Sequence, residues 1–183
     1  MLLTGLLPDI STDPAIETAT DSIEAGRSGT IVAPVGIRPP LLAAVASRAA
    51  TPLVVLTATG RDAESLTNAL ASWIPGVAML PAWETLPHER LSPQVDTMAR
   101  RIAVLRRLVH PIEGDESAGP LSVLVVPIRA FLQPIISGLA DLEPVRVRTG
   151  DILDLTDVTN RLAELGYERV DMVEGRGQMS VRG

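Results

Sequence analysis

The chain has 183 residues, enough for one medium domain or for a domain and part of another. Apolar residues make up 46% but aromatics only 2%, so the core must be aliphatic, and the lack of cysteine excludes disulfides and thiolate metal sites. The net charge is −6 and every basic residue is an arginine, an acidic balance that argues against duplex DNA as the main partner.

No window approaches the roughly eighteen apolar residues of a membrane span. Residues 1–7 are apolar but are closed by Pro8 and Asp9 and preceded by no basic residue, so they do not read as a signal peptide. The expectation is a soluble protein with a cytoplasmic location and no membrane partner.

In chain order, residues 13–26 predict a helix, with Pro14 in its first turn and Ile16, Ala19 and Ile23 on one face. Residues 30–33 predict a short strand, followed by the loop Pro34-Val-Gly-Ile-Arg-Pro-Pro40 and a helix over about 40–50. Residues 53–57 form an uninterrupted apolar run of the kind found in strands covered on both faces. A helix over 61–73 places Ala63, Leu66, Leu70 and Trp73 on one stripe, and 77–80 predict a further strand.

The segment from Leu80 to Pro93 is longer than the usual four to six residues of a connection. It holds Trp83, His88 and three prolines. Ser92 and Pro93 then suit the N-cap and first residue of a helix. In that helix Val95, Met98, Ile102, Leu105 and Val109 form the predicted apolar stripe, flanked by Arg101 and Arg106. Residues 121–126 predict a buried strand, with a short helix over 128–133.

Strand alternating with helix four times implies a doubly wound, mainly parallel α/β sheet. The pattern changes near residues 138–143, which gives an α/β domain over 1–140 and part of a smaller α+β domain over 141–183. In the second unit, residues 143–147 alternate like a strand and Thr156 caps a helix carrying Val158, Leu162 and Leu165. Residues 167–173 and 178–181 read as half-buried strands suited to antiparallel pairing.

Several constellations test for chemistry. The loop at 34–40 sits where a phosphate loop would lie, but it has one glycine, no lysine, and prolines that remove amide donors. A Walker-type phosphate loop is therefore excluded, and the strand ending at Val126 is followed by Pro127 and Ile128 rather than a magnesium-holding acid. His88 with Glu84, Glu89 and Asp96 lacks the second nearby histidine common in zinc sites, and the plain reading is a solvated loop. No catalytic, nucleotide-binding or metal residues are expected, and no cofactor in this stretch.

Two readings stand for Trp83: a structural anchor that plugs its loop onto the domain, or an interface anchor. Two also stand for Arg146, Arg148, Arg169, Arg176 and Arg182. They pair with Asp151, Asp154, Asp157 and Glu164 of their own unit, or they contact an acidic protein patch through directional guanidinium–carboxylate bonds.

The string Trp83-Glu-Thr-Leu-Pro-His-Glu, then Ser92-Pro-Gln-Val-Asp and the arginine- and leucine-rich helix, resembles the N-terminal region of the bacterial transcription-repair coupling factor (Mfd) family. Gly166-Tyr-Glu-Arg-Val-Asp and Gly177-Gln-Met-Ser-Val-Arg-Gly are similar to the family's second domain, in the expected order and spacing. The resemblance implies a UvrB-like module that has lost its nucleotide site, in a degenerate P-loop-type fold. It implies UvrA as partner, with Arg182 on the docking surface; Arg146, Arg148, Arg169 and Arg176 stay further candidates on their own pattern, not by the resemblance. The longer parent is implied to be an ATP- and magnesium-dependent DNA translocase that displaces stalled RNA polymerase. Its C-terminal domain is a further partner, packing against this module. The family's second domain continues past the V-R-G motif, so the chain reads as a truncated fragment with that domain incomplete. Two other readings stay open: a nucleotide-dependent UvrB-like helicase fragment, and a structural, autoinhibitory module.

Overall fold

A computed structural model of the protein describes residues 2–85 and 94–182. Three of the apolar runs become strands β1 (Leu53–Thr57), β2 (Val77–Met79) and β3 (Val123–Pro127) of one parallel sheet, in the order β1-β3-β2. The register sets Leu53 and Val77 beside Val123, and Val55 and Met79 beside Val125. Side chains alternate across the sheet, so these residues share one face.

That face is covered by α1 (Leu7–Ser11), α3 (Arg38–Arg48) and α4 (Gly60–Leu70), whose Leu7, Ala43, Ala46, Ala63 and Leu70 join Val123 and Val125 in one core. The alanines leave room for the helices to sit close to the strands. On the opposite face, Leu80, Leu124 and Val126 pack against Val104 and Leu105 of α5 (Val95–Val109) and Ala130 of α6 (Ile128–Phe131). β3 is buried along its whole length, and each such Val or Leu contributes about 1.5–3 kcal/mol of burial free energy. The sheet is therefore a centre layer between helices, an α/β arrangement.

Local chemistry starts the helices where composition expects them. In α2 (Pro14–Glu24), the Asp13 side chain accepts the Ala15 N–H at 2.8 Å and Pro14 fills the first turn. In α4, the Thr59 hydroxyl accepts the Asp62 N–H at 3.1 Å and donates to the Asp62 carboxylate at 2.7 Å.

Several expectations are corrected. Residues 30–33 are not a strand: they pair with no neighbour, and Val32 is 95% exposed. β1 is thus the end strand of the sheet, and its Val54 and Leu56 are about half exposed rather than covered. Residues 143–147 likewise find no strand partner, so Arg146 and Arg148 do not share a strand face. The buried face of α5 is Thr97, Arg101, Val104 and Leu105, while Val95, Met98 and Val109 are exposed. The N-cap of α5 is Gln94; Ser92 and Pro93, expected at this start, lie outside the described residues. The C-terminal strands β4 (Glu168–Arg169) and β5 (Gln178–Met179) pair in parallel, not antiparallel, for reasons given below.

Candidate functional site

The C-terminal unit opens with α7 (Leu155–Glu164). Its N-cap is Asp154 rather than Thr156: the carboxylate accepts the Thr156 N–H at 2.7 Å and the Asp157 N–H at 3.1 Å. Those backbone donors, from Asp157 first and then Thr156, hold the Asp154 carboxyl below the usual carboxylate range. At the other end the Gly166 N–H donates to the Ala163 carbonyl and the Tyr167 N–H to the Leu162 carbonyl, both at 3.0 Å. This pair of bonds is the Schellman closure, and it aims the chain into β4.

The Glu168 N–H donates to the Gly177 carbonyl at 2.8 Å and the Val170 N–H to the Met179 carbonyl at 2.9 Å. Between the strands the chain reverses twice. The second reversal is closed by the Gln178 side-chain oxygen, which accepts the N–H groups of Glu174 and Gly175 at 2.9 and 3.0 Å. This double reversal makes the short pair parallel, where a single hairpin turn would have made it antiparallel.

Beyond β5 the Ser180 hydroxyl donates to the Asp171 carbonyl at 3.0 Å, and the Arg182 guanidinium donates to the same oxygen at 3.2 Å. The result is an open cavity of about 490 Å³ lined by Arg169, Val170, Asp171, Ser180, Val181 and Arg182. Two exposed guanidiniums at the rim of a shallow cavity suit the recognition of carboxylates on another protein.

The other sequence-predicted arginines lie outside this cavity. Arg146 stands 3.8 Å from Asp115, whose carboxyl is held below its usual range mainly by the Ser117 hydroxyl and the Ala118 and Ser117 N–H groups. Arg148 is exposed, and its backbone N–H donates to the Asp151 carboxylate at 2.8 Å. Arg176 forms an ion pair with Asp96 in the first turn of α5, where Arg100 also pairs with Asp96 at 2.7 Å.

Trp83 is half-buried in a second cluster. Its backbone N–H and carbonyl are paired with the Gln133 amide at 2.8 and 3.3 Å. The Arg101 guanidinium stacks 4.5 Å from the indole ring centre and donates to the Pro81 carbonyl at 2.6 Å. Arg129 donates to the Glu84 carbonyl at 3.1 Å, and the Thr97 hydroxyl donates to the Glu84 carboxylate, which holds that carboxyl below its usual range. Arg101 is fully buried, and its Nε has no hydrogen-bond partner among the described residues. Sequence reasoning placed Arg101 on the flank of its helix and missed this role.

His88 and Glu89, weighed as metal ligands, lie outside the described residues. Among the described residues, no three His, Cys, Asp or Glu side chains come together in a metal-holding group. At the loop over 34–40, residues Val35–Ile37 make a single 3-10 turn and α3 begins at Arg38. Pro39 and Pro40 then supply no N–H in the first helical turn. No described helix is long and apolar enough to cross a membrane.

Residues 145–183, which include both cavity arginines, match the UvrB interaction domain. Over most of its length the chain is also similar to the transcription-repair-coupling factors, the resemblance its motifs carry. It is 47% identical over 155 residues to the transcription-repair-coupling factor of Mycobacterium tuberculosis (strain CDC 1551 / Oshkosh), covering 84% of this chain and 12% of that protein. It is 27% identical over 145 residues to that of Escherichia coli (strain K12), covering 78% of this chain and 12% of the relative. A further relative is the UvrABC system protein B of Vibrio vulnificus (strain YJ016), 26% identical over 196 residues, with 100% of this chain and 28% of the relative covered. The chain thus spans about 12% of the length of these transcription-repair-coupling factors.

Proposed function

We propose that this chain is a protein-docking module that recruits UvrA in transcription-coupled nucleotide excision repair. The observation that carries the reading is the placement of Arg169 and Arg182 on the rim of one cavity, within the stretch that matches the UvrB interaction domain. Arg182 is the central contact, Arg169 its neighbour, and the exposed Arg148 a peripheral one. Arg146 and Arg176 serve the chain internally through Asp115 and Asp96. Trp83 acts as the structural anchor of its loop, a reading supported by the Gln133 and Arg101 contacts.

In this reading residues 1–140 are a degenerate P-loop-type, doubly wound domain without a nucleotide site, and 141–183 begin the docking domain. Support comes from the parallel sheet between helices and from the lysine-free loop with prolines at the start of α3. The stretch itself binds no cofactor and hydrolyses no ATP. The longer protein to which it corresponds is a cytoplasmic, ATP- and magnesium-dependent translocase that engages DNA and RNA polymerase, and the rest of its chain packs against this module.

The test is the affinity of purified UvrA for the protein with and without Arg182→Ala. Truncating a central interface arginine costs about 2 kcal/mol or more, roughly a thirtyfold loss. An unchanged affinity removes Arg182 from the interface, and no binding by the unaltered protein sinks the docking reading. Saturable binding of ATP with magnesium at micromolar concentration, read by calorimetry, would instead favour the helicase-like alternative.

A further inference from the structure

The C-terminal unit has little core of its own. From residue 141 to 182 only Met179 is buried, and α7 buries none of its side chains fully. Its orientation on the first domain therefore rests on a few contacts, and apart from the Arg146–Asp115 pair these lie along α5 and at His110, its C-cap. At the C-terminal end of α5, Arg106 donates to the Leu142 carbonyl at 3.1 Å, and His110 Nε2 lies 2.7 Å from the Asp141 carboxylate. These grips hold the connecting segment, not the docking strands.

At the N-terminal end of α5 the contact is with the turn that leads into β5. The Gln178 amide shapes the turn over 174–178 and presents Arg176 to Asp96. Asp96 is already oriented by Arg100, one helical turn further on. Gly177 follows with φ +82°, a conformation that favours glycine, and a Cβ there would stand 3.1 Å from Val95 Cγ1. The turn thus seats on the first residues of α5, and β5 starts at the very next residue.

We propose that the Asp96–Arg176 ion pair is a clasp that fixes the docking unit on α5 and so holds the Arg169 and Arg182 cavity in one orientation for its partner. Its bearing on docking rests on the function proposed above; the clasp itself does not. An exposed ion pair contributes little energy in isolation. Here it acts through position, because it joins the turn that leads straight into β5 to the most extensive helix of the first domain.

The protein has no cysteine, so a pair of spin labels can be placed cleanly at Glu64→Cys on α4 and Asn160→Cys on α7, both exposed. Pulsed electron-resonance distances in the unaltered background are expected to form one narrow distribution. Arg176→Ala or Asp96→Asn is expected to broaden it, and Arg176→Lys, which keeps the charge, to leave it narrow. With UvrA as the probe, Arg176→Ala is expected to weaken binding about two- to fivefold. An unchanged distribution in Arg176→Ala, or one broadened as much by Arg176→Lys, overturns the clasp. A broadened distribution with unchanged UvrA affinity overturns its role in presenting the cavity. Loss of the Arg182→Ala effect alone would strike the docking reading and leave the distance result to decide the clasp.

Discussion

A buried guanidinium is expensive to desolvate, and Arg101 shows what offsets that cost in this chain. Its charge faces the Trp83 ring and the Pro81 carbonyl, so the helix and the loop stabilise each other. Burial lowers the Arg101 pKa, but the group remains ionised at neutral pH. Arg101→Ala removes both contacts and opens a cavity, so it is expected to lower stability by about 2–4 kcal/mol in urea unfolding. In a Trp73→Phe background, the remaining Trp83 emission should shift to longer wavelength. Gly177→Ala combines an unfavourable φ with a tight approach to Val95, and should lower protection from hydrogen exchange at the Glu168 and Val170 amides by about 1–2 kcal/mol. Val95→Ala should recover part of that loss by making room, but not all, since the φ remains. Trp83 was legible in the sequence as a rare aromatic in an overlong loop. Its partner was not, because an arginine between two apolar positions reads as a flank until the fold supplies a ring and a carbonyl.

At the scale of elements, sequence pattern worked best where the interaction is local. The helix opening at Pro14 and the strands of the central sheet follow from neighbouring residues, whereas the cap expected at Thr156 falls to Asp154. The buried face of α5 does not follow from them either. Residues 102–109 are apolar nearly all round, so the side that faces inward is chosen by Leu124, Val126 and the Trp83 loop rather than by the stripe. Residues 30–33 and 143–147 have strand-like composition, but a strand needs a neighbour to pair with, and composition does not say whether one is present. Capping also has a pH signature. The Asp154 carboxyl is lowered in the folded state, so its stabilisation of α7 is fully present above the ordinary carboxylate pKa and fades as pH falls through the lowered value. Acid titration followed by α7 amide shifts should show that loss, and Asp154→Asn should shift it away by removing the titrating group. An identical acid profile in both proteins would contradict the assignment.

At the scale of the whole molecule, a sheet between helices carries a small unit whose own core is nearly absent. The similarity to transcription-repair-coupling factors was readable from two motifs, because those motifs hold the specific residues of the 80–93 sequence and of β4 and β5. Sequence pattern offered five arginines without a place for them, and only Arg169 and Arg182 line the cavity. The double reversal over 171–178 brings Arg169 and Arg182 to one cavity and sends Arg176 to Asp96, 80 residues away in sequence, for which no local signal exists. Exposed guanidiniums that recognise carboxylates should also make docking sensitive to salt. Affinity for UvrA is therefore expected to fall with ionic strength, and Arg169→Ala should flatten that dependence.

The most direct measurement is the equilibrium affinity of UvrA for the unaltered protein and for Arg182→Ala, each checked for an unchanged unfolding midpoint. A loss of roughly thirtyfold at equal stability is the result expected of a central contact. Equal affinities for the two proteins would contradict the placement of the docking site at this cavity.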